Sequence, residues 1–205
     1  MSNLKKVTII SKEDNKEPKF IKTMSVKVKR EGEKEFYWEA TKQMDSVHIL
    51  VDNIETKEII LVKQVRIPVL LNDDSKNGEV IELCAGLVDK NCSLEQVAKE
   101  EVEEEIGYDV PLENIISHKV FKSSVGTSGT NAYTYFCEVT ENMKVSEGGG
   151  LESEDIELIK IPYQEVSQYF DSDIHTDAIT TCIVNEWLIK NILREYKEMK
   201  ENKGK

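Results

Sequence analysis

The most constraining stretch of this chain runs from Gly86 to Tyr108 and centres on a helix-forming run, Leu94 to Ile106, rich in glutamate. Ser93 is placed to cap it, with Gln96 three residues on to close a capping box, and Gly107 stands where a left-handed C-terminal cap is expected. On a helix Glu101, Glu104 and Glu105 fall at i, i+3 and i+4 and share one face. Leu94, Val97 and Ala98 lie on that same face one and two turns earlier. A stripe that should pack on the rest of the fold therefore turns from apolar to triply anionic. Burying three like charges together is costly unless a cation joins them. Oxygen donors alone favour magnesium or manganese over zinc. The plain alternative is a solvated acidic helix, the usual fate of a charge run.

Around this segment the chain reads as many strands and few helices, hence α+β. The N-terminal part, Val7 to Val51, reads as strands. Phe20, Met24, Val26 and Val28 share a face at period two; Glu31 to Lys34 is a turn, and the strand Glu35 to Ala40 carries Phe36 and Trp38 on one face and Tyr37 on the other. Strands follow at Ser46 to Asp52 and Glu58 to Arg66. Pro68 ends pairing, Leu71 to Gly78 is a polar loop, and Glu79 to Ala85 is a strand. Further strands cover Ile115 to Phe121, Ala132 to Val139 and Asp155 to Ile161. Pro162 opens a short helix to Phe170, a last helix starts near Ala178 with Ile179, Ile183 and Trp187 at helical spacing, and Lys197 to Lys205 is a polar tail that frays.

Composition narrows the class. With 39 acidic against 27 basic residues the net charge is −12, which repels nucleic acid and anionic membranes. A phosphate ligand would then need a divalent metal to supply positive charge. No run approaches the roughly 18 to 20 apolar residues that span a bilayer, and the first residues lack a secretory signal. Cys84, Cys92, Cys137 and Cys182 form no Cys-x-x-Cys pair, in keeping with idle thiols in a reducing cytoplasm. His48, His118 and His175 lie in unrelated contexts and read as structural.

The segment as a whole resembles the signature of the Nudix hydrolases, Gly-x5-Glu-x7-Arg-Glu-U-x-Glu-Glu-x-Gly-U with U apolar. Gly86, Glu101, Val102, Glu104, Glu105, Gly107 and Tyr108 fall in register. Cys92 stands at the first Glu and Glu100 at the Arg. Those two side chains pair in the family, so both partners are absent together and neither charge is stranded; Lys99, beside Glu100, is the candidate to substitute in part. The likeness covers about residues 35 to 190. Met44 to Val47, Leu61 to Arg66, Glu82 to Asp89, Gly148 to Glu152 and Glu154 to Glu157 look like the nucleoside-diphosphate-sugar branch. The uridine diphosphate glucose pyrophosphatases are most alike in Gly-Leu-Val-Asp and the triple glycine, with ADP-ribose pyrophosphatases next.

This resemblance implies a Nudix fold: a mixed sheet between helices (46–196), a small N-terminal antiparallel strand region that builds a homodimer (1–45), and the tail 197–205. It implies that the Ala85 carbonyl, Glu101 and Glu105 bind Mg2+ (or Mn2+), with Glu104 as ligand or shared bridge. Glu152 is expected as general base and Glu154 as a further metal contact, the two roles being exchangeable; Gly148 to Gly150 would make their loop flexible. An acidic surface loop is the alternative. Arg66 matches an arginine that holds a diphosphate oxygen, although it could instead pair with any of the chain's carboxylates. Glu82 matches a position facing substrate. Ser124 to Gly129, including Ser124 and Gly126, resembles a loop lining the site, with Val125 and Gly129 replacing the usual Pro and Glu. Trp38 aligns with a tryptophan that stacks on the nucleobase, in trans across the dimer, a core or interface Trp being the other reading.

The activity so implied is metal-dependent cleavage of a nucleoside diphosphate sugar, UDP-glucose giving UMP and glucose 1-phosphate. The alternatives are ADP-ribose giving AMP and ribose 5-phosphate, and a Nudix-fold sensor that binds without cleaving. Intact carboxylates and the Glu152/Glu154 pair speak against a sensor. An acidic scaffold would leave the inward-facing glutamates unexplained.

Overall fold

Strand β3 (Ser46–Asn53) divides the core by simple alternation. Its Val47, Ile49 and Val51 pack on one side with Ile60 and Val62 of β4 (Glu58–Val65). Leu50 points the other way, with Ile59 and Leu61 of β4. Each of these side chains is fully buried, contributing roughly 2 kcal/mol apiece. Both sheet faces therefore need covering. The computed structural model, which describes residues 2–12, 16–18, 21–73, 75–151 and 154–203, supplies a helix layer for each.

On the first face lies α2 (Leu94–Glu101), through Val97 and Ala98, continued by Val102 and Ile106. On the second lie α3 (Val166–Phe170) and α4 (Ala178–Lys203), through Val166, Ile183, Val184 and Trp187. Between them is a mixed seven-stranded sheet. Its order is β5 (Glu79–Glu82), β4, β3, β8 (Thr130–Val139), β7 (Ile115–Ser123); β6 (Cys84–Leu87) also pairs with β3, and β9 (Ile156–Pro162) with β4. Only β3 and β8 run parallel among these pairings. β1 (Lys22–Lys29) and β2 (Glu35–Lys42) form a separate antiparallel hairpin.

The register gathers several chain segments at one end of the sheet. Ser46 opens β3 between Leu87 of β6 and Ala132 of β8. Gln64 near the end of β4 faces Ile156 at the start of β9, and Val65 faces Glu79. The ends of β4 and β6 and the beginnings of β3, β8 and β9 thus meet there. Asp45 fastens two of them: its Oδ1 accepts from Asn131 N at 2.7 Å and its carbonyl from Val88 N at 2.9 Å.

Several sequence expectations need correction. No strand precedes Lys22 among the described residues, and Phe20 lies outside them. Pairing does end before Pro68, but the polar loop expected from Leu71 starts later: Pro68 sits in the first turn of α1 (Ile67–Asn72), where its missing N–H costs nothing, so Leu71 and Asn72 are helical. The strand expected over Glu79 to Ala85 breaks at Leu83, whose N–H leaves the ladder for Thr180 Oγ1 at 3.0 Å. Gln96 does not close a capping box, because its amide turns to Glu100 instead (2.9 Å), although Ser93 does accept from Gln96 N. The segment read as a polar tail continues α4 as helix to Lys203. No helix among the described residues is long and apolar enough to cross a membrane.

The Leu83 break depends on Asp177, whose Oδ1 accepts from Ile179 N (2.7 Å) and Thr180 N (3.0 Å) at the start of α4, while Oδ2 accepts from Thr180 Oγ1. Replacing Asp177 by Ala should lower the unfolding free energy by about 1–2 kcal/mol, read from urea denaturation. An unchanged denaturation midpoint would contradict this capping role.

Candidate active site

The acidic face of the helix meets β6 at the gathered end of the sheet. The N–H of Ala85 donates to Glu105 Oε2 at 3.0 Å, and Glu105 is only 4% exposed. The Glu101 side chain lies directly against Gly86: a Cβ there would stand 2.0 Å from Glu101 Oε1 and would make that carboxylate swing aside. Two adjacent β6 residues thus seat two carboxylates. Burial pushes the carboxyl of Glu105 up to about 7, against the opposing bonds from Ala85 and the Cys84 thiol, with Glu101 and Glu154 adding repulsion. Burial likewise raises Glu101 to about 7, helped by Glu104 and Glu154 and opposed by Lys90. The Cys84 thiol, fully buried and beside Glu105, is pushed well above its ordinary range.

The helix does not stay α-helical through this face. From Val102 to Ile106 it widens into a π-turn, with Gly107 N reaching back to Val102 O at 3.0 Å. Gly107 follows in the expected left-handed conformation, φ 86°. Such turns are frequent at functional sites. Glu104 is partly exposed, with Oε1 3.8 Å from Lys90 Nζ.

Lys90 also answers the substituted positions of the sequence pattern. Its ammonium bonds Glu100 Oε2 at 2.6 Å, while Gln96 holds the other oxygen, so loop and helix are tied by a cation on the loop and an anion on the helix. Lys99, the expected substitute, turns away to Asp109 and the Val110 carbonyl. Adjacency in sequence misled there, because residues 99 and 100 face different directions on a helix.

On the neighbouring strands Arg66 Nε donates to Glu82 Oε2 at 2.6 Å, with the Arg66 side chain 42% exposed. Glu82 is pushed up by burial and pulled back by Arg66. His48 is pushed down by burial, with Asp177 and Arg66 acting on it in opposite senses. Sequence had read His48 as structural and left Asp177 unassigned; a parallel bridge between Ile81 and Thr176 is what brings the α4 start here, and nothing local signals it.

Trp38 and the loop Ser124 to Gly129 are also brought together. Trp38 Nε1 donates to Gly126 O at 3.3 Å, and Thr41 N to Thr127 O at 3.0 Å, so the hairpin docks on the loop just before β8. Ser124 turns the chain at φ 45°. Trp38 is 53% exposed, on the hairpin face that also carries Met24, Val26 and Phe36.

Gly148 to Gly150 depart from expectation. They are docked rather than free: Gly149 N donates to Glu105 O at 2.8 Å and Gly150 N to Glu104 O at 3.1 Å. Glu154 closes a local turn, its Oε2 accepting from Leu151 N at 2.8 Å. Glu152, the expected base, lies outside the described residues.

The donor set suits a hard divalent cation: carboxylates and a backbone carbonyl, with anionic repulsion awaiting compensation. Among the described residues no three His, Cys, Asp or Glu side chains already form a metal cage. A divalent cation at this face would draw on the carboxylates and the carbonyl of the helix end and β6. Ala85, Glu101, Glu104, Glu105 and Glu154 are the residues that could hold it.

The chain matches the NUDIX domain family over residues 42–182. It is 30% identical over 139 residues to a GDP-mannose pyrophosphatase of Shigella flexneri serotype 5b (strain 8401), covering 67% of this chain and 70% of that protein. The same figures hold for a GDP-mannose pyrophosphatase of Escherichia coli O157:H7. A solved structure described as an ADP compounds hydrolase superposes with a TM-score of 0.68 over 96% of this chain and 98% of that one, at 15% identity, a likeness of fold.

A linkage follows from the two raised carboxyls. Their unfolded values lie near 4.5 and their folded values near 7, so in that window the native state holds more protons than the unfolded. Their contribution to stability is therefore lost as pH rises from about 4.5 through 7. A bound cation removes that penalty, so the rise in melting temperature on adding Mg2+ should be larger at pH 8 than at pH 5.5. An equal rise at both would count against the carboxyl pair.

Proposed function

The chain belongs to the Nudix family and is a hydrolase of phosphorus-containing anhydrides, and from that premise we propose that it cleaves the diphosphate of a nucleoside diphosphate sugar. The observation that carries this reading is the seating of Glu101 and Glu105 on β6, at the sheet end that also holds the Arg66–Glu82 pair.

Family members work with divalent metals, and in this reading the metal is Mg2+, with Mn2+ as substitute, held by the Ala85 carbonyl and Glu101, Glu104, Glu105 and Glu154. When bound there it screens the diphosphate charge and acidifies water. The remaining work belongs to the chain. Glu152 takes the proton from the attacking water. Arg66, aimed by Glu82, offers its exposed N–H groups to a diphosphate oxygen, a task that suits a planar fork. Glu82 closes the substrate side of that pair. Trp38 presents an exposed face for a nucleobase, and Ser124 and Gly126 line the same region. Buried Glu101 and Glu105 carry charge that only a cation offsets, which confines metal to the site of the chemistry.

Two sugars have specific support. The segment Leu87-Val88-Asp89 directly after Gly86, together with the triple glycine, favours UDP-glucose, with UMP and glucose 1-phosphate as products. Identity to GDP-mannose pyrophosphatases favours GDP-mannose, with GMP and mannose 1-phosphate. A homodimer through the hairpin belongs to the reading: Met24, Val26 and Trp38 are exposed on one face of β1 and β2 in the single chain. So does a cytoplasmic location, in keeping with four free cysteines.

Incubation with UDP-glucose, GDP-mannose and ADP-ribose in competition, with and without Mg2+, should release a nucleoside monophosphate only with metal. The dominant monophosphate identifies the base. Binding of all three without release would make the protein a sensor. Glu105→Gln and Glu152→Gln should each lower turnover by about two orders of magnitude or more with an unchanged circular dichroism spectrum. Near-normal turnover in either variant removes the role given to that residue.

A further inference from the structure

The last carbonyls of a helix have no partner within it, and here an outside segment supplies their donors. The carbonyls of Glu104, Glu105 and Gly107 accept from a strap formed by residues 145–150. Gly150 N reaches Glu104 O at 3.1 Å, Gly149 N reaches Glu105 O at 2.8 Å, and Val145 N and Ser146 N reach Gly107 O at 2.8 and 3.2 Å. Approach this close excludes side chains. A Cβ on Gly148 would stand 2.4 Å from Glu105 O and 2.7 Å from the carbonyl carbon of Ile106, both backbone atoms that cannot swing aside. On Gly107 it would stand 2.4 Å from Ser146 O. Gly148, Gly149 and Gly150 all have φ between 67° and 104°, so strap and turn interlock through conformations that favour glycine.

From this geometry we propose that the strap positions Glu104 and Glu105, with Gly148 as the positioning residue that lets it seat. The carboxylate of Glu105 is held at its tip by Ala85 N–H, while its own backbone is held by Gly149 N–H. Lifting the strap frees the carbonyls of Glu104 and Glu105. The backbone of the turn is then no longer fixed from outside, so Glu105 can leave its bond to Ala85 N–H and Glu104 shifts with it. The glycines thus serve rigidity at the acidic face. The inference rests on the proposed role of those carboxylates in holding a divalent cation.

The test uses Mn2+ alone as probe, with electron paramagnetic resonance titration of the full chain, and native-state hydrogen exchange on the wild type. Gly148→Ala should bind Mn2+ about tenfold more weakly, as loss of a supporting contact does at metal sites, while its melting stays cooperative. Gly32→Ala is the control: Gly32 has φ +78° with open space around it, in the distant β1–β2 turn, so it carries the same backbone strain without a collision. It should bind Mn2+ as the wild type does. In the wild type the amides of Gly149 and Gly150 should be protected, and more so with Mn2+. Wild-type Mn2+ affinity in a folded Gly148→Ala variant would overturn the proposal, as would unprotected Gly149 and Gly150 amides. If Gly148→Ala fails to fold, the wild-type exchange decides alone. Failure of the wild type to bind Mn2+ would fall on the proposed metal site, and protection at Gly149 and Gly150 would still decide whether the strap holds.

Discussion

Everything at the acidic face depends on one bond, the N–H of Ala85 donating to the buried carboxylate of Glu105. It binds the edge of the sheet to a charge that the interior would otherwise reject. The surrounding features accommodate that charge. Gly86 yields its side-chain volume to Glu101, the Cys84 thiol adds a second donor to Glu105, and Lys90 brings a positive charge to the exposed side of the face. None of these neutralises the pair, whose carboxyls stay raised. A site kept short of positive charge in this way is prepared for a divalent cation and an anionic substrate, and it explains how a chain of net charge −12 can handle a diphosphate.

The fold serves that bond by bringing strand ends together. The register of β3 against β6 and β8, and of β4 against β9, puts the Glu101–Glu105 face, the Arg66–Glu82 pair, the Ser124–Gly129 loop and Glu154 at the same end of one sheet. Helices cover both faces, and the apolar alternation of β3 and β4 fills the middle.

Local signals carried well from sequence. The β1–β2 hairpin pairs Val26 with Trp38 and Val28 with Phe36 as period two requires, Ser93 caps α2, and Gly107 takes the left-handed conformation. What escaped is what distant residues decide. The carbonyls at the end of the π-turn are bound by a strap some 40 residues downstream in the chain. The break at Leu83 depends on Thr180, and the tie to Glu100 comes from Lys90 across a loop. Pro68 carries a double signal, because proline both stops strands and starts helices; here it follows the end of β4 and opens α1, with Leu70 N donating to Arg66 O. For the candidate site, the residue types were legible, whereas their partners were set by tertiary structure.

The central claim is that Glu101 and Glu105 keep protons that a divalent cation displaces. Calorimetric titration of Mg2+ at pH 6.5 in buffers of different ionisation enthalpy measures that displacement directly. The account predicts net proton release on binding, abolished together with most of the affinity in the Glu101→Gln, Glu105→Gln double variant. Binding without proton release, or binding undiminished in the double variant, would contradict it.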